Sequence, residues 1–145
     1  MYKESINEFA TLLHYAANYL PKHIYEHSVR VMLYVMCNEF IPKHLHGKCI
    51  RAAIAHDLLE DGGVAVHNLP KLDDTVFEAL ELLTKPQSES YVEYIKDIAE
   101  ARGSDAGQVA YWVKMADMKD HLSKTETLTD KLKNKYLEAL PFLLP

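Results

Sequence analysis

An imidazole and up to three carboxylates crowd into one short stretch of this chain, AAIAHDLLEDGG at residues 52–63. The apolar AAIA runs directly into His56-Asp57 and then into Glu60-Asp61. Residues three and four apart share a helix face, and Asp57 to Glu60, His56 to Glu60 and Asp57 to Asp61 all have that spacing. Gathering such groups against an apolar helix costs free energy unless a cation or good hydrogen bonds compensate. Metal binding is one chemistry that satisfies this. A helix end whose polar groups face water is the other. The dipeptide alone does not decide, because eight His and nine Asp in 145 residues give roughly half of one such pair by chance.

Two further segments favour the metal. YEHSVRVMLYV (residues 25–35) places His27 inside an amphipathic helix, with Arg30 close to one turn on. A lone helical histidine is ordinarily a hydrogen-bonded structural residue. In YWVKMADMKDHL (residues 111–122), Asp117 follows an apolar stretch of Tyr111, Trp112, Val113, Met115 and Ala116, which directs its carboxylate inward. Lys114 at i−3 and His121 at i+4 share its face. Three separate helices would then supply two neutral imidazoles and two carboxylates. That set balances a divalent ion and suits Mn, Fe, Co, Ni or Zn better than Mg or Ca. On an ion that accepts five or six ligands, it leaves room for water and a phosphate oxygen.

The order H…HD…D, with separations of 29 and 60 residues, resembles the HD-domain metal-dependent phosphohydrolases. HDLLED (residues 56–61) is similar to the HDxxED of the RelA/SpoT-type hydrolases and their small stand-alone relatives, which remove pyrophosphate from guanosine tetra- and pentaphosphate. VKMADMKDHL (residues 113–122) resembles their VKLADxxxN segment, and LLTK (residues 82–85) looks like their threonine-lysine pair. The resemblance spans residues 24 to 122. It implies one divalent ion, Mn²⁺ before Fe, Co, Ni or Zn, held by His27, His56, Asp57 and Asp117. Glu60 and Asp61 would orient or deprotonate the attacking water. Such chemistry is sound, since a bound metal lowers the pKa of water and polarises the phosphoryl oxygen, and a nearby carboxylate can take the proton.

Arg30, Lys85 and Lys114 are the candidates to hold substrate phosphates, with an ordinary surface ion pair as the competing role for each. His121 falls where the family has an asparagine that contacts the sugar, so the resemblance places it at the substrate. Gly62-Gly63 follow HDxxED where the family has threonine, these 145 residues are fewer than in the stand-alone hydrolases, and no synthetase domain is expected. These departures leave the metal set whole and the nucleotide open. Only His67 falls between HD and the final Asp, which favours one metal over two. Tyr91 or Tyr94 could stack on a base, although helix packing is the ordinary role for them and for Tyr111. The expected activity is nucleotide phosphohydrolysis, most specifically of the (p)ppGpp type. A nucleotidase, a non-catalytic nucleotide-sensing module and a plain helical domain without metal are the alternatives.

The elements that must position these residues read as helical almost throughout. Ser5 and Glu8 match a capping box before a stripe of Phe9, Leu12, Leu13, Ala16, Ala17 and Leu20, which Pro21 ends. A second helix is expected over 24–40, with Ile24, Val31, Val35 and Met36 on one side, and a third over 47–60, stopped by Gly62-Gly63. Residues 62–72 read as a loop with a turn at 67–69. Thr75 and Glu78 would cap a helix through Leu83, and 88–101 forms the next, closed by Gly103. Ser104 or Asp105 opens one reaching Leu122, and Ser123 and Glu126 cap a last one ending at Pro141. No segment has the period-two pattern of a strand with hairpin turns. The expected fold is an all-α, single-domain bundle of about six or seven helices over residues 1–145.

Composition agrees. With 48% hydrophobic and 26% charged residues, the chain is globular and large enough for a real core. A formal charge of −5 offers no broad basic face for a polynucleotide, yet permits a small phosphorylated nucleotide in a local pocket. No apolar run is long enough to span a bilayer, and MYKESINEFATLL lacks signal-peptide features. Cys37 and Cys49 are expected as reduced, core-packed thiols in a cytoplasmic protein. His14 is expected partly buried, and His23, His44 and His46 at helix ends. Oligomeric state is not encoded in any of these features.

Overall fold

The computed structural model describes residues 2–59 and 72–144, with side chains from Asn7 onward. Among the described residues there are seven α-helices and no strand, as the periodicity requires. They are α1 (Tyr2–Tyr19), α2 (Lys22–Met36), α3 (Lys43–Ala55), α4 (Asp74–Leu83), α5 (Tyr91–Glu100), α6 (Asp105–Ser123) and α7 (Asp130–Ala139). Short 3-10 turns follow α5 at Ala101–Gly103 and α7 at Leu140–Phe142. The expected loop with His67, the Gly62-Gly63 stop, and Glu60 and Asp61 lie outside the described residues.

Local chemistry sets the helix boundaries and corrects several expected ones. Pro21 and Pro42 precede α2 and α3 as their N-caps, each with φ −54°. A proline loses nothing at a helix start, where its missing N–H would have no intrahelical partner. α2 stops at Met36 rather than Phe40 because Asn38 turns the chain, its Oδ1 accepting from the Phe40 N–H at 3.0 Å. At α4 the cap is Asp73, which accepts from the Thr75 and Val76 N–H groups, and not Thr75 with Glu78. α5 has a full capping box between Ser90 and Glu93. Ser123 is the last residue of α6, its hydroxyl donating to the Lys119 carbonyl. Thr129, not Ser123, caps α7. Ser5 lies within α1 and does not start it.

Leu12, Val31, Ile54, Leu58, Leu80, Ile95, Ile98, Val113 and Met118 anchor a single apolar core to which all seven helices contribute. Some expected core members are outside it. His14, Ala17, Met36 and Cys37 are exposed, and of the two free thiols only Cys49 is buried. His14 sits on the solvent side of α1, with the Asn18 amide against its ring and its carbonyl. Burial pushes the Cys49 thiol up to about 12, so it behaves as a small apolar side chain.

Five of the other six helices, α2, α3, α4, α5 and α7, pack on α6. Its first turns manage this with small residues, Ala106, Gly107 and Ala110, all buried. At Gly107 the approach is closest. A Cβ there would lie 1.6 Å from the Ala101 carbonyl oxygen and 2.2 Å from its carbon, both backbone atoms that cannot rotate aside. Gly107→Ala must therefore displace the 3-10 turn or the start of α6, and forced repacking of this kind costs about 1–3 kcal/mol or more. Thermal denaturation should show a clear fall in Tm for Gly107→Ala, whereas Gly103→Ala, which meets nothing within 4 Å, should leave it near wild type.

Candidate metal centre

Three elements bring the site together. On α2, His27 lies on the stripe that includes Val31 and Val35 at successive i+4 steps, so the imidazole enters the interior with them. On α3, Ala52, Ala53, Ile54 and Ala55 are all buried, and this small-residue run carries His56 and Asp57 into the middle of the molecule. α3 ends at Ala55, and residues 56–59 form turns instead of the expected further helical turn. The His56 Nδ1–H donates to the Ala53 carbonyl at 2.6 Å, and the Leu58 N–H bonds back three residues to Ala55. On α6, Ala106, Ala110, Val113, Asp117 and Asp120 form one inward row, so the two carboxylates face α2.

The carboxylate of Asp117 is the meeting point. Its Oδ1 lies 2.8 Å from His27 Nε2, 3.3 Å from His56 Nε2 and 3.3 Å from His121 Nε2. Its Oδ2 accepts from Lys114 Nζ at 2.9 Å. Asp57 Oδ2 stands 3.1 Å from His56 Nε2 and 3.8 Å from His27 Nε2, and accepts from the Ser28 hydroxyl at 3.3 Å. His27, His56 and Asp117 are buried, and Asp57 is nearly so.

The electrostatics follow from that packing. Burial alone would raise the Asp117 carboxyl, but the Lys114 ammonium and the three imidazoles hold it well below the usual carboxylate range. Burial alone would lower Lys114, and Asp117 instead holds it well above its ordinary value. For His56, burial pushes down while Asp57 and Asp117 push up, and the carboxylates win at about 9. His27 is raised in the same way, chiefly by Asp117 against burial. Without a metal, a proton on His56 offsets part of the carboxylate charge.

These residues fit a metal ion. Two overlapping sets, His27–His56–Asp57 and His27–Asp117–His121, each place their ligand atoms within 4.8 Å of one another. The outward nitrogens of two histidines are also spoken for: His56 Nδ1 by the Ala53 carbonyl, and His27 Nδ1 by Asp120 Oδ2 at 2.6 Å. Such outer bonds fix the tautomer that leaves Nε2 free as a ligand, the usual arrangement around a protein-bound metal. The chain matches no family model, no curated protein and no solved structure. Its buried His/Asp groups could hold a metal on their own geometry.

The other expected residues have mixed surroundings. Arg30 lines the adjoining cavity, yet its Nε and Nη2 are engaged by Asp120 at 2.7 and 3.0 Å. Lys114 is buried against Asp117, with its ammonium over the Tyr94 ring at 5.0 Å. Lys85 lines the cavity, donating to the Pro86 carbonyl. Tyr91 and Tyr94 line it too: the Tyr94 hydroxyl donates to the Leu83 carbonyl, while the buried Tyr91 hydroxyl has no hydrogen-bond partner among the described residues. Tyr111 packs edge-on against Trp112 away from the cavity.

The cavity, about 570 Å³, reaches beyond the 24–122 span to Lys124, Thr127, Lys135 and Tyr136. Sequence reasoning missed Asp120, Ser28 and Tyr136. Asp120 had a findable signal, since it lies three residues after Asp117 and so shares its face. Tyr136 had none, because α7 meets the site only through the tertiary fold.

Two outcomes are expected. Asp120→Asn, which weakens the orientation of His27 and leaves the four-residue set itself unaltered, should lower metal affinity by about 10–100-fold, read by isothermal titration with Zn²⁺ or Mn²⁺. The metal-free protein should also lose stability with rising pH. A histidine whose folded pKa is raised adds stability that is complete below its unfolded value of 6.5 and is lost through about 9. Tm of stripped protein should fall between pH 7 and pH 10, and saturating metal should flatten that part of the curve, since ligated imidazoles carry no such proton.

Proposed function

We propose that this protein is a metal-dependent phosphohydrolase of nucleotides, an HD-domain enzyme closest to the (p)ppGpp pyrophosphohydrolase branch and acting in the cytoplasm. The observation that carries the reading is the convergence of His27, His56, Asp57 and Asp117, from three elements, on one buried point. Beside it lies a cavity large enough for a nucleotide, rimmed by Arg30, Lys85, Lys124 and Lys135 and walled by Tyr91 and Tyr136. The cavity lining sets Arg30, Lys85, Lys114, Lys124 and Lys135 among the acids Glu26, Asp57, Asp117, Asp120 and Glu126, and local cations at a His/Asp centre on an acidic chain suit a small phosphorylated ligand and not a polynucleotide. Among the described residues no helix is long and apolar enough to cross a membrane.

A bound divalent ion, Mn²⁺ in the first instance, supplies a Lewis acid that acidifies water and polarises a phosphoryl oxygen. The chain's own residues do the rest. His27, His56, Asp57 and Asp117 hold the ion, and Lys114 keeps Asp117 ionised. Lys85 and the lysines of the cavity rim meet the substrate phosphates. Glu60 or Asp61 takes the proton from the attacking water. For a (p)ppGpp substrate the water oxygen attacks the phosphorus on the ribose 3′ oxygen. That P–O bond breaks, the 3′ oxygen gains a proton, and pyrophosphate leaves. The cavity holds the His121 imidazole where the resemblance calls for a sugar-binding amide, which favours a second reading: a nucleotidase on another nucleoside phosphate.

A nucleotide panel with Mn²⁺ tests both. Asp57→Ala should lose metal and turnover together. Glu60→Gln should keep the metal and lose turnover by about 10²–10⁴-fold, the scale of general-base removal. Pyrophosphate released from the 3′ position would mark the first reading, and orthophosphate from the 5′ position the second. Unchanged activity in Asp57→Ala would sink both, and tight nucleotide binding with no turnover would leave a sensing module.

A further inference from the structure

His121 is the one imidazole at the centre that the four-ligand set does not use. It projects from α6 one turn after Asp117, and its Nε2 lies 3.3 Å from Asp117 Oδ1. That is the same distance at which His56 Nε2 meets the same oxygen. Its ring is held on both faces: by His27, with centroids 4.3 Å apart and planes at 30°, and by Tyr136 of α7, at 4.9 Å and 10°. Tyr136 is buried, so this stack is a fixed wall. Three imidazole nitrogens therefore converge on one carboxylate oxygen, with Asp57 Oδ2 3.1 Å from His56 Nε2.

The two overlapping ligand sets describe one ion and not two. Both contain His27, whose Nδ1 is committed to Asp120, leaving Nε2 as its single ligand nitrogen. One nitrogen lone pair binds one ion. Resting on the metal reading above, we infer that His121 is a fifth protein ligand of that ion, giving a site of three imidazoles and two carboxylates. This makes His121 part of the metal centre and not a contact to the substrate sugar. It also sets the class of metal. Magnesium takes oxygen ligands almost exclusively, and manganese binds most weakly of the first-row divalent ions, whereas imidazole suits Fe, Ni, Cu and Zn. When several ions are offered, the site then binds a late first-row ion in preference to the Mn²⁺ of the four-ligand reading, which a fifth, nitrogen ligand revises.

The test uses the full chain stripped of metal, with wild type, His121→Asn and His121→Phe. The Phe variant keeps a ring between His27 and Tyr136 and removes only the nitrogens. Zn²⁺ affinity should fall about tenfold or more in both variants, at least the scale of losing an outer partner of a ligand. Magnesium should bind wild type far more weakly than zinc. With ¹¹³Cd²⁺ bound and histidines labelled with ¹⁵N, wild type should show three imidazole nitrogens split by cadmium and His121→Phe two. Two split nitrogens in wild type, with unchanged Zn²⁺ affinity in His121→Phe, would overturn the role of His121 and leave the four-ligand reading standing. Wild type that binds neither zinc nor cadmium would overturn both.

Discussion

One carboxylate organises the interior of this protein. Asp117 is buried on the central helix, where an isolated charge would be strongly disfavoured. It is tolerated because both oxygens are saturated: Lys114 on one, and three imidazole nitrogens around the other. Removing a single member of such a cluster leaves the others buried without a counter-charge, which is worse than never having built it. The surrounding apolar packing therefore has to place α2, the end of α3 and α6 with little freedom. The all-buried alanine run of α3 allows that closeness.

Around the centre a second layer of contacts fixes the rings. Arg30 grips Asp120, Asp120 holds His27, and the Ala53 carbonyl holds His56. Tyr136 and His27 sandwich His121. Each outer partner leaves one nitrogen aimed inward, so orientation is settled before any ligand arrives. Arg30 consequently has two faces to its role: it borders the cavity, and it anchors the carboxylate behind His27. Side chains preorganised in this way could hold a metal ion.

Helix number and type were legible in the sequence because apolar spacing and breakers act locally. Pro21 and Ser104 mark boundaries that the structure contains, whereas α3 and α5 begin at Lys43 and Tyr91 and not at 47 and 88. Boundaries were misread where two signals competed, as at Ser123 and Thr129, or where a side chain ended a helix early, as Asn38 and His56 do. His14 and Cys37 were misplaced because a helical stripe defines a face only to within a residue or so.

Three of the four residues on which the metal reading rests were legible in the sequence itself: His56-Asp57 after an apolar run, and Asp117 inward of Lys114, signal buried polarity through local pattern. The convergence of His27 with them, across 90 residues to Asp117, is a property of helix packing alone. So are the pairing of Arg30 with Asp120 and the arrival of Tyr136 against His121. Spacing along a chain reports which face of a helix a residue occupies. Only the packed fold decides which faces meet, because contacts between helices depend on how whole surfaces interlock and not on any one residue's neighbours in sequence.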